Sequence, residues 1–497
     1  MTEPANQQYD SCHIYEKERI FMSKTQAKPQ NPLWQTTKAE RKSYYSYFFG
    51  QNMIYTMVAS FLPTFVAFMI DPITCSIVMG IVKLWDAIND AIFGVIFDKV
   101  KFKSGKKFLP WLKAACIITP LSTVALFFIP TDSKESVQVL WFALAYIIWD
   151  TAYTLCDVPA FGLVTAMSNN IEERNSILSV KGLTAGIGVA LASVIVPALV
   201  SEDVGVSYGV ASIIIAVVAI VTMMPLIFIG KERYQTTDEE QFTVRRMIKY
   251  VVSNKYLLIY YLGYIFFSGA QTYNSMHQIF AYYIYENSLA SLITGTVAAA
   301  PQLIMALLVP KIIRKYDKAL VFKVSAIAAL VLSFPILFTK ESFLFFTITY
   351  MLRSIPLAII GILAFTFTPD CAEYGQYKTG IEAKGISFAI QTFAVKLAAA
   401  ISGSAWLAIV GLYGFISFDN AADFAALEKI NAIAQQPASA FDGIWFAYNI
   451  FPIFGLAIAC AIWYFYRLND KDVQIMTDCN AGKITKAEAE KLLSKKY

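Results

Sequence analysis

The fold of this chain is decided by residues 83–113, which read KLWDAINDAIFGVIFDKVKFKSGKKFLPWLK. The first part is an apolar helix that carries Asp86, Asn89 and Asp90 at positions i, i+3 and i+4, so these side chains share one helical face. A short basic turn follows and leads into a second apolar helix. Carboxylates inside an apolar span are costly and therefore usually face a cavity and serve a function. The stretch predicts a membrane helix with one polar, functional face.

The two acids of this face, one turn apart and with an amide between them, fit a small cation or an exchangeable proton. The alternative is a structural salt bridge for one acid and a position near the membrane interface for the other. The cost of placing charge inside a membrane favours the cation site, because a purely structural role would not justify two buried carboxylates.

The composition places the whole chain in a membrane. Of its 497 residues, 57% are hydrophobic and 15% are charged, and the mean hydropathy is +0.52. A soluble protein of this length needs far more polar surface, and the apolar residues recur in runs of about 20, the length that crosses a bilayer. An all-α, polytopic membrane protein is predicted.

Several other classes of protein are excluded. The net charge of +5 is spread over short loops, which does not indicate nucleic acid binding. The seven cysteines form no CxxC pair, which argues against a disulfide framework or a zinc site. Residues 1–42 are polar and of mixed charge, so no cleavable signal peptide is expected. No nucleophile–base set is recognisable in the loops, and neither an enzyme nor a bound cofactor is expected.

Twelve apolar spans are expected, in two sets of six around a polar linker, which is the layout of a transporter built from two repeated halves. The spans are expected at about 45–70, 73–97, 109–130, 138–166, 177–200, 207–230, 256–285, 288–312, 319–339, 342–368, 384–413 and 442–467. The resulting segments are a tail at 1–43, a first half at 44–230, a linker at 231–255, a second half at 256–467 and a tail at 468–497.

The orientation follows from the distribution of lysine and arginine. These residues concentrate in the loops that lead from even to odd spans and in the C-terminal tail, so both termini are expected in the cytoplasm. The longest external loop then lies at 414–441, and its segment FDNAADFAALEKINAIAQQ, residues 418–436, is expected to form a short surface helix.

A second polar stripe is predicted in span 4, which reads WDTAYTLCDVPAFG at 149–162. The residues that share this stripe are Asp150, Tyr153, Thr154, Asp157 and Phe161. A carboxylate that accepts hydroxyls, beside aromatic rings that cover an apolar sugar face, is a typical site for a neutral saccharide. The alternative is ordinary packing with Asp157 as a structural hydrogen-bond acceptor. Two acids on one buried stripe favour binding.

Other polar residues are expected deep in the bundle. Gln51 and Asn52 in span 1 fit either a helix–helix hydrogen bond or a contact to a sugar hydroxyl. His277 in span 7 is expected to be an interhelical contact rather than a proton relay. The charged residues counted at mid-depth are Asp86, Asp90, Asp150, Asp157, Arg353 and Lys396. Acids outnumber bases in this count, which favours uptake of Na⁺ or H⁺.

Four motifs stand in these spans and the loops beside them. They are WDAIND at 85–90, GxxxDK…SGKK…PW at 94–111, YTLCDVPAFG at 153–162 and DCAEYGQYKTGIEAKGISFAIQTFAVK at 370–396. Together they resemble the glycoside–pentoside–hexuronide:cation symporter family of the major facilitator superfamily. The resemblance extends from about residue 42 to residue 467.

The resemblance implies roles for individual residues. The implied cation site, which would hold the metal ion if the ion is Na⁺, consists of Asp86, Asn89, Asp90 and Thr154. The residues implied at the sugar are Asn52, Tyr153, Asp157 and Phe161. Lys396 is the implied basic partner of the acids, and Lys181 stands at or beside a position that the family often gives to a sugar-side arginine. The implied cytoplasmic charge network contains Asp98, Lys99, Asp370 and Glu373.

The expected function is import of a sugar or glycoside by symport with Na⁺ or H⁺ through alternating access. The protein is expected to act as a monomer in the plasma (inner) membrane. Arg353, Lys181 and Lys396 together favour an acidic sugar such as a hexuronide, unless all three are internally paired. Two rival functions are a related transporter of amphiphiles such as lysolipids and a non-transporting membrane sensor. The acids on span 2 argue against the sensor, which needs no coupling ion.

Overall fold

The computed structural model describes residues 34–100, 102–234, 250–381, 384–418, 423–495 and 497. The backbone of Asp90, Asp98 and Lys99 belongs to a helix, but their side chains lie outside the description. Most of the expected N-terminal tail and of the linker also lies outside the described residues. Within these ranges the chain forms helices and no strands, which confirms the all-α prediction.

The described residues before the linker form seven α-helices. They are α1 (Lys38–Thr56), α2 (Leu62–Met69), α3 (Pro72–Lys99), α4 (Leu109–Leu126), α5 (Glu135–Met167), α6 (Ile171–Val200) and α7 (Tyr208–Ile229). A π-helical turn at Met57–Phe61 joins α1 to α2, so these two helices make one continuous rod.

Local sequence sets where these helices begin. Thr37 and Glu40 form a capping box at the start of α1, in which each side chain accepts from the other residue's backbone N–H. Asp71 caps α3, and Pro72 occupies the first turn, where its missing N–H costs no hydrogen bond. Asn170 caps α6 in the same way.

The described residues after the linker form the second half and the C-terminal tail. Their helices are α8 (Lys255–Gly269), α9 (Tyr273–Tyr285), α10 (Ala290–Lys315), α11 (Lys318–Ser333), α12 (Phe343–Leu363), α13 (Phe367–Thr379), α14 (Lys384–Leu412), α15 (Phe424–Lys429), α16 (Ala432–Gln435), α17 (Ala438–Trp445), α18 (Phe451–Tyr464), α19 (Asp470–Asn480) and α20 (Lys486–Leu492). A 3₁₀ turn at Ala364–Thr366 joins α12 to α13, and a π-helical turn at Phe446–Ile450 joins α17 to α18.

Ten helical segments in the described ranges are long and apolar enough to cross a membrane. Two of the twelve expected spans are not among them. One of them is α3, in which Pro72–Lys83 is the apolar stretch among the residues whose side chains the structure describes. The expected seventh span is interrupted between α8 and α9, which have 15 and 13 residues.

The two halves of the bundle meet at one end. We call this the loop end, where Met69 and Pro72 lie, and we call the opposite end, where Lys38 and Tyr464 lie, the tail end. Hydrogen bonds that join the halves at the loop end include Thr64 Oγ1 to Ser275 O at 3.1 Å, Tyr208 OH to Gln278 Oε1 at 2.8 Å, Ser76 Oγ to Ser404 O at 2.9 Å and Phe418 N to Phe68 O at 2.6 Å. The bundle is therefore held shut at the loop end.

The helix expected on the surface of the external loop takes part in this closure. A short helix is present as α15, but Phe424 and Leu427 on it are fully buried. The ring of Phe424 packs against Phe68 and Tyr208 of the first half, with centroids 5.1 and 6.4 Å away, and against Tyr282 of the second half at 5.1 Å. The prediction of a surface helix was wrong in this respect, since its apolar side wedges between the two halves.

Candidate functional site

A cluster of two acids and two lysines lies between α3, α5 and α14. Asp86 sits halfway along the 28-residue α3, and its carboxylate accepts a hydrogen bond from Lys396 Nζ at 3.1 Å. The other carboxylate oxygen of Asp86 lies 3.8 Å from Lys83 Nζ, which is also 3.6 Å from Asp150 Oδ1. Both acids are buried. The order Lys396–Asp86–Lys83–Asp150 alternates in charge, and we call these residues the acid–lysine cluster.

The cluster corrects the expected excess of deep acids. Lys83 bridges two of the acids, and Lys181 is half-buried in the first half of the bundle, so both belong among the deep charges. With them, the residues assigned to mid-depth are four acids and four bases, where Asp90 is assigned from the sequence alone. The low dielectric alone therefore does not call for an extra cation, and a cation that binds Asp86 has to weaken the contact of that carboxylate with a lysine.

The other residues expected at the cation lie beside the cluster. Asn89 Nδ2 donates to Thr154 Oγ1 at 2.9 Å, and both side chains are buried between α3 and α5. The side chain of Asp90 lies outside the described residues. The described part of the chain contains no group of three or more His, Cys, Asp or Glu side chains that could hold a metal ion. A cation here would rely on amide and hydroxyl oxygens as well as on carboxylate.

The sugar-side residues come together one helical turn further along α5. Gln51 Nε2 on α1 donates to Asp157 Oδ1 at 2.6 Å. The ammonium of Lys181 lies 3.9 Å from the ring centre of Phe161 and 4.2 Å from that of Phe48. Phe161 is 45% exposed although it lies within the bundle's length. We call this group the Asp157 site.

The two polar neighbours on α1, Gln51 and Asn52, have different partners. The amide of Asn52 donates to the backbone carbonyl of Phe48 on its own helix at 2.8 Å, whereas Gln51 reaches the carboxylate. Adjacent residues on a helix point about 100° apart, so only one of them faces α5. Tyr153 stacks on Trp149, with ring centroids 5.1 Å apart, and forms an aromatic wall next to the site.

Arg353 has different surroundings. It lies halfway along the 21-residue α12 and is 2% exposed. Its guanidinium carbon is 4.8 Å from the ring centre of Tyr350 and 5.3 Å from that of Tyr273. Lys396 belongs to the acid–lysine cluster, and Lys181 lies over the rings of the Asp157 site. Arg353, Lys181 and Lys396, which were expected to act together on an acidic sugar, therefore lie in three different places.

The expected charge network at the tail end is present in part. Asp370 on α13 forms a 2.6 Å salt bridge with Lys318, which also lies 3.7 Å from Asp470 of the C-terminal tail. Glu373 accepts from Asn480 Nδ2 at 2.9 Å. Asp98 and Lys99 cannot be placed in this network, because their side chains lie outside the described residues. The tail helix α19 is thus a partner that the sequence motifs did not indicate.

Comparison with known proteins identifies the family. The family model of MFS/sugar transport proteins matches residues 43–470, nearly the whole of both halves. The chain belongs to this family. The resemblance to sugar symporters of the major facilitator superfamily is thereby confirmed, and so is the expectation of an integral, multi-pass membrane transporter rather than an enzyme.

Two relatives in this family cover most of the chain. The isoprimeverose transporter of Lactiplantibacillus pentosus is 23% identical over 453 residues, which is 88% of this chain and 91% of the relative. The glucuronide carrier protein homolog of Escherichia coli K12 is 24% identical over 416 residues, or 79% of this chain and 83% of the relative. The matches run through both halves, so the resemblance is not confined to the motifs.

Solved structures show the same fold at low identity. A bacterial homolog of the human lysosomal transporter Spinster, in an inward-facing and unoccupied conformation, aligns with a TM-score of 0.62 at 13% identity and covers 87% of this chain and 98% of that chain. The nucleoside transporter NupG aligns with a TM-score of 0.58 at 12% identity and covers 86% and 99%. These likenesses establish the transporter fold of the bundle.

Proposed function

We propose that this protein imports a sugar or glycoside by symport with Na⁺ or H⁺ through alternating access. The names of its relatives, an isoprimeverose transporter and a glucuronide carrier homolog, support a sugar as the solute. In this proposal the chain crosses the membrane twelve times, with α3 and the broken pair α8–α9 as the two further spans. Both termini lie in the cytoplasm, and the protein works as a monomer without a bound cofactor.

One observation carries the proposal: α5 contacts the predicted ion residues and the predicted sugar residues within a single turn. Thr154 bonds to Asn89 on α3, and Asp157, three residues further, bonds to Gln51 on α1. A shift of α5 that is caused by a bound cation therefore also moves Asp157 and changes its contact with the sugar. By linkage, the sugar must raise the affinity for the cation by the same factor.

The salt bridge between Lys396 and Asp86 explains how the ion acts on the conformation. It joins α14 of the second half to α3 of the first half near mid-depth. A Na⁺ ion at Asp86, or a proton on its carboxylate, weakens this link because the lysine loses its full counter-charge. Release of the link frees the halves to rock around the bound solute, which is the movement that alternating access needs.

The conformation fits a resting, inward-facing state of such a cycle. The halves are bonded to each other at the loop end, which is the outer end when the termini are cytoplasmic. Phe424 fills the space between the halves at that end. Solute would leave, and ions would be exchanged, through the tail end.

Uptake into proteoliposomes tests this function. Labelled neutral and acidic glycosides are supplied outside with an imposed Na⁺ gradient, an imposed H⁺ gradient or neither. We expect accumulation above equilibrium with one of the two gradients only, and its loss in Asp86→Asn. Asp442→Asn serves as the matched control, because Asp442 is an exposed acid at the loop end whose partner is Lys340. Equal uptake with and without gradients would refute symport, and retained coupling in Asp86→Asn would refute the ion site.

A further inference from the structure

We propose that Arg353 holds an anionic group in a chamber between α9, α12 and the π-helical turn before α18. The inference rests on the proposed transport function but goes beyond it, because it assigns a charge to a ligand. Tyr273, His277, Tyr350 and Tyr448 surround Arg353 by ring and hydrogen-bond contacts, and we call these five residues the Arg353 chamber. The anion is either an acidic group of the solute or a free inorganic anion such as chloride.

The guanidinium of Arg353 is buried without enough partners. The residue is 2% exposed, and its Nε and Nη2 atoms have no hydrogen-bond acceptor. Within the described residues Arg353 forms no salt bridge to a carboxylate. Two tyrosine rings lie against the guanidinium, but ring contacts offset only part of the cost of burying a charge. A guanidinium is cationic, so an anion is the partner that would satisfy both its N–H groups and its charge.

Further polar groups lie in the chamber or on the π-helical turn that borders it. Tyr448 OH and His277 Nδ1 lie 2.5 Å apart, so each fixes the position of the other. Asn449, the next residue in the π-helical turn, is fully buried, and neither atom of its side-chain amide has a hydrogen-bond partner. Unsatisfied buried amides of this kind are costly and are uncommon without a function or a ligand. The π-helical turn that carries them is itself frequent at functional sites.

The chamber lies directly behind the closed loop end. Tyr273 and His277 are on α9, and the neighbouring Ser275 and Gln278 of that helix make hydrogen bonds to Thr64 and Tyr208 of the first half. When the halves part at the loop end, these two bonds break and α9 loses the cover of the first half. A solute that enters from that side then comes close to the guanidinium of Arg353. Because the surroundings of Arg353 have a low dielectric constant, the attraction between the guanidinium and an anion is strong.

The chemistry favours a planar, singly charged group such as a carboxylate. A guanidinium offers parallel N–H groups whose geometry matches two carboxylate oxygens, and Nε and Nη2, the two nitrogens without a partner, form one such edge. Chloride can fill the same position with one contact to each nitrogen. The two sources are separated by experiment, because only a carboxylate that belongs to the solute makes the recognition depend on the sugar.

Binding to the full-length protein in lipid nanodiscs tests the proposal. The probes are methyl β-glucuronide, its neutral methyl ester, and chloride at constant ionic strength with sulfate as the replacement. We expect wild-type protein to bind the acid or chloride, seen as a rise in Tm, and Arg353→Gln to weaken that binding by about ten- to hundredfold. Affinity for the ester should be unchanged, and Arg353→Lys should retain an intermediate affinity. Lys340→Gln is the matched control, since Lys340 is an exposed base at the same end.

Each outcome has a defined meaning. Preference for the acid over its ester that disappears in Arg353→Gln assigns the anion to the solute. Stabilisation by chloride alone that disappears in the same variant assigns it to an inorganic anion. Binding of neither, or binding that survives in Arg353→Gln, overturns the proposal.

The proposal is also testable if the variant does not fold, and its failure differs from a failure of sugar transport. The comparison of acid, ester and chloride on the wild-type protein needs no variant. If none of the three changes the Tm of the wild-type protein, the proposal of an anion site at Arg353 is refuted. Coupled uptake of neutral glycosides without any anion effect leaves the proposed transport intact. An anion effect without uptake of any sugar leaves the chamber intact and refutes the transport proposal.

Discussion

The acid–lysine cluster and the Arg353 chamber bury the same kind of charge in opposite ways. In the cluster, Lys83 and Lys396 each contact a carboxylate within 4 Å, so the charges neutralise one another. In the chamber, Arg353 is buried more completely but has aromatic rings in place of acids. A paired charge can exchange partners and so transmit a signal between helices. A buried charge without a counter-charge is instead available to bind a ligand of opposite charge. In the proposed transport cycle, the acid–lysine cluster would serve ion coupling and the Arg353 chamber would serve solute recognition.

Removal of one base from each region should show the difference most clearly. We expect Lys83→Met to destabilise the protein by about 3–5 kcal/mol, because Asp150 and Asp86 lose a buried counter-charge. Arg353→Met should leave the protein at least as stable as wild type, since no carboxylate is stranded. Thermal unfolding in detergent measures both.

The double variant Lys83→Met/Asp150→Asn provides the control for this comparison. It removes both members of the Lys83–Asp150 pair and should recover at least half of the lost stability. If Lys83→Met and Arg353→Met lower the stability equally, or if the double variant recovers nothing, the two regions do not differ in how their buried charges are compensated.

A second prediction concerns sugar binding at the Asp157 site. Gln51→Ala should weaken sugar affinity about tenfold, because the 2.6 Å charge-assisted bond that orients Asp157 is lost. Asn52→Ala is the matched control on the adjacent residue, and it should change affinity less than twofold, since its amide bonds only to its own helix. Titration with a transported glycoside measures both affinities. A larger effect in Asn52→Ala would mean that Asn52, the residue implied at the sugar by the family resemblance, matters more for sugar binding than Gln51.

The third prediction tests the link between the halves. Lys396→Met removes an ammonium that competes with the coupling ion for Asp86. The lysine side chain is 37% exposed, so the competition is partly screened and we expect the apparent affinity for Na⁺ or H⁺ to rise only about twofold to fivefold. The ion dependence of glycoside binding measures this. A fall in ion affinity would mean that the lysine helps to hold the ion and does not compete with it.

The sequence predicted the helices, and it singled out polar residues that the structure brings together, for physical reasons that can be named. Apolar run length fixes where a chain can cross a bilayer, and ten segments confirm that rule. Helical spacing placed Asp157 and Phe161 on one face, and the structure brings Gln51 and Lys181 to that face. The acids of span 2 were found because charge in an apolar run is conspicuous.

What the sequence missed depends on contacts between distant helices. Lys83 lies three residues before Asp86, a spacing that allows a pair on one helix, but its contact with Asp150 on α5 has no signal in the sequence. The choice between Gln51 and Asn52 depends on the rotation of α1, which hydropathy does not specify. The burial of Phe424 follows from the closure of the two halves around it, a tertiary event without a local signal.

The smallest effect is expected at the C-terminal tail, where a buried acid is satisfied by neutral donors instead of lysines. Burial alone would raise the pKa of Asp472, but hydrogen bonds from Ser494, Tyr497 and Asn469 outweigh it and hold that pKa below its ordinary value. An acid with a lowered pKa stabilises the docked tail above its unfolded pKa, near 4, and this contribution is lost as the pH falls through the folded value. Protease sensitivity of residues 470–495 should therefore rise only below about pH 4.

The variant Asp472→Asn should expose the tail to the protease at neutral pH. Its control is Asp478→Asn, which should not, because Asp478 is an acid on the same helix that bonds to Lys483. A tail equally protected in both variants would mean that apolar packing holds it without Asp472.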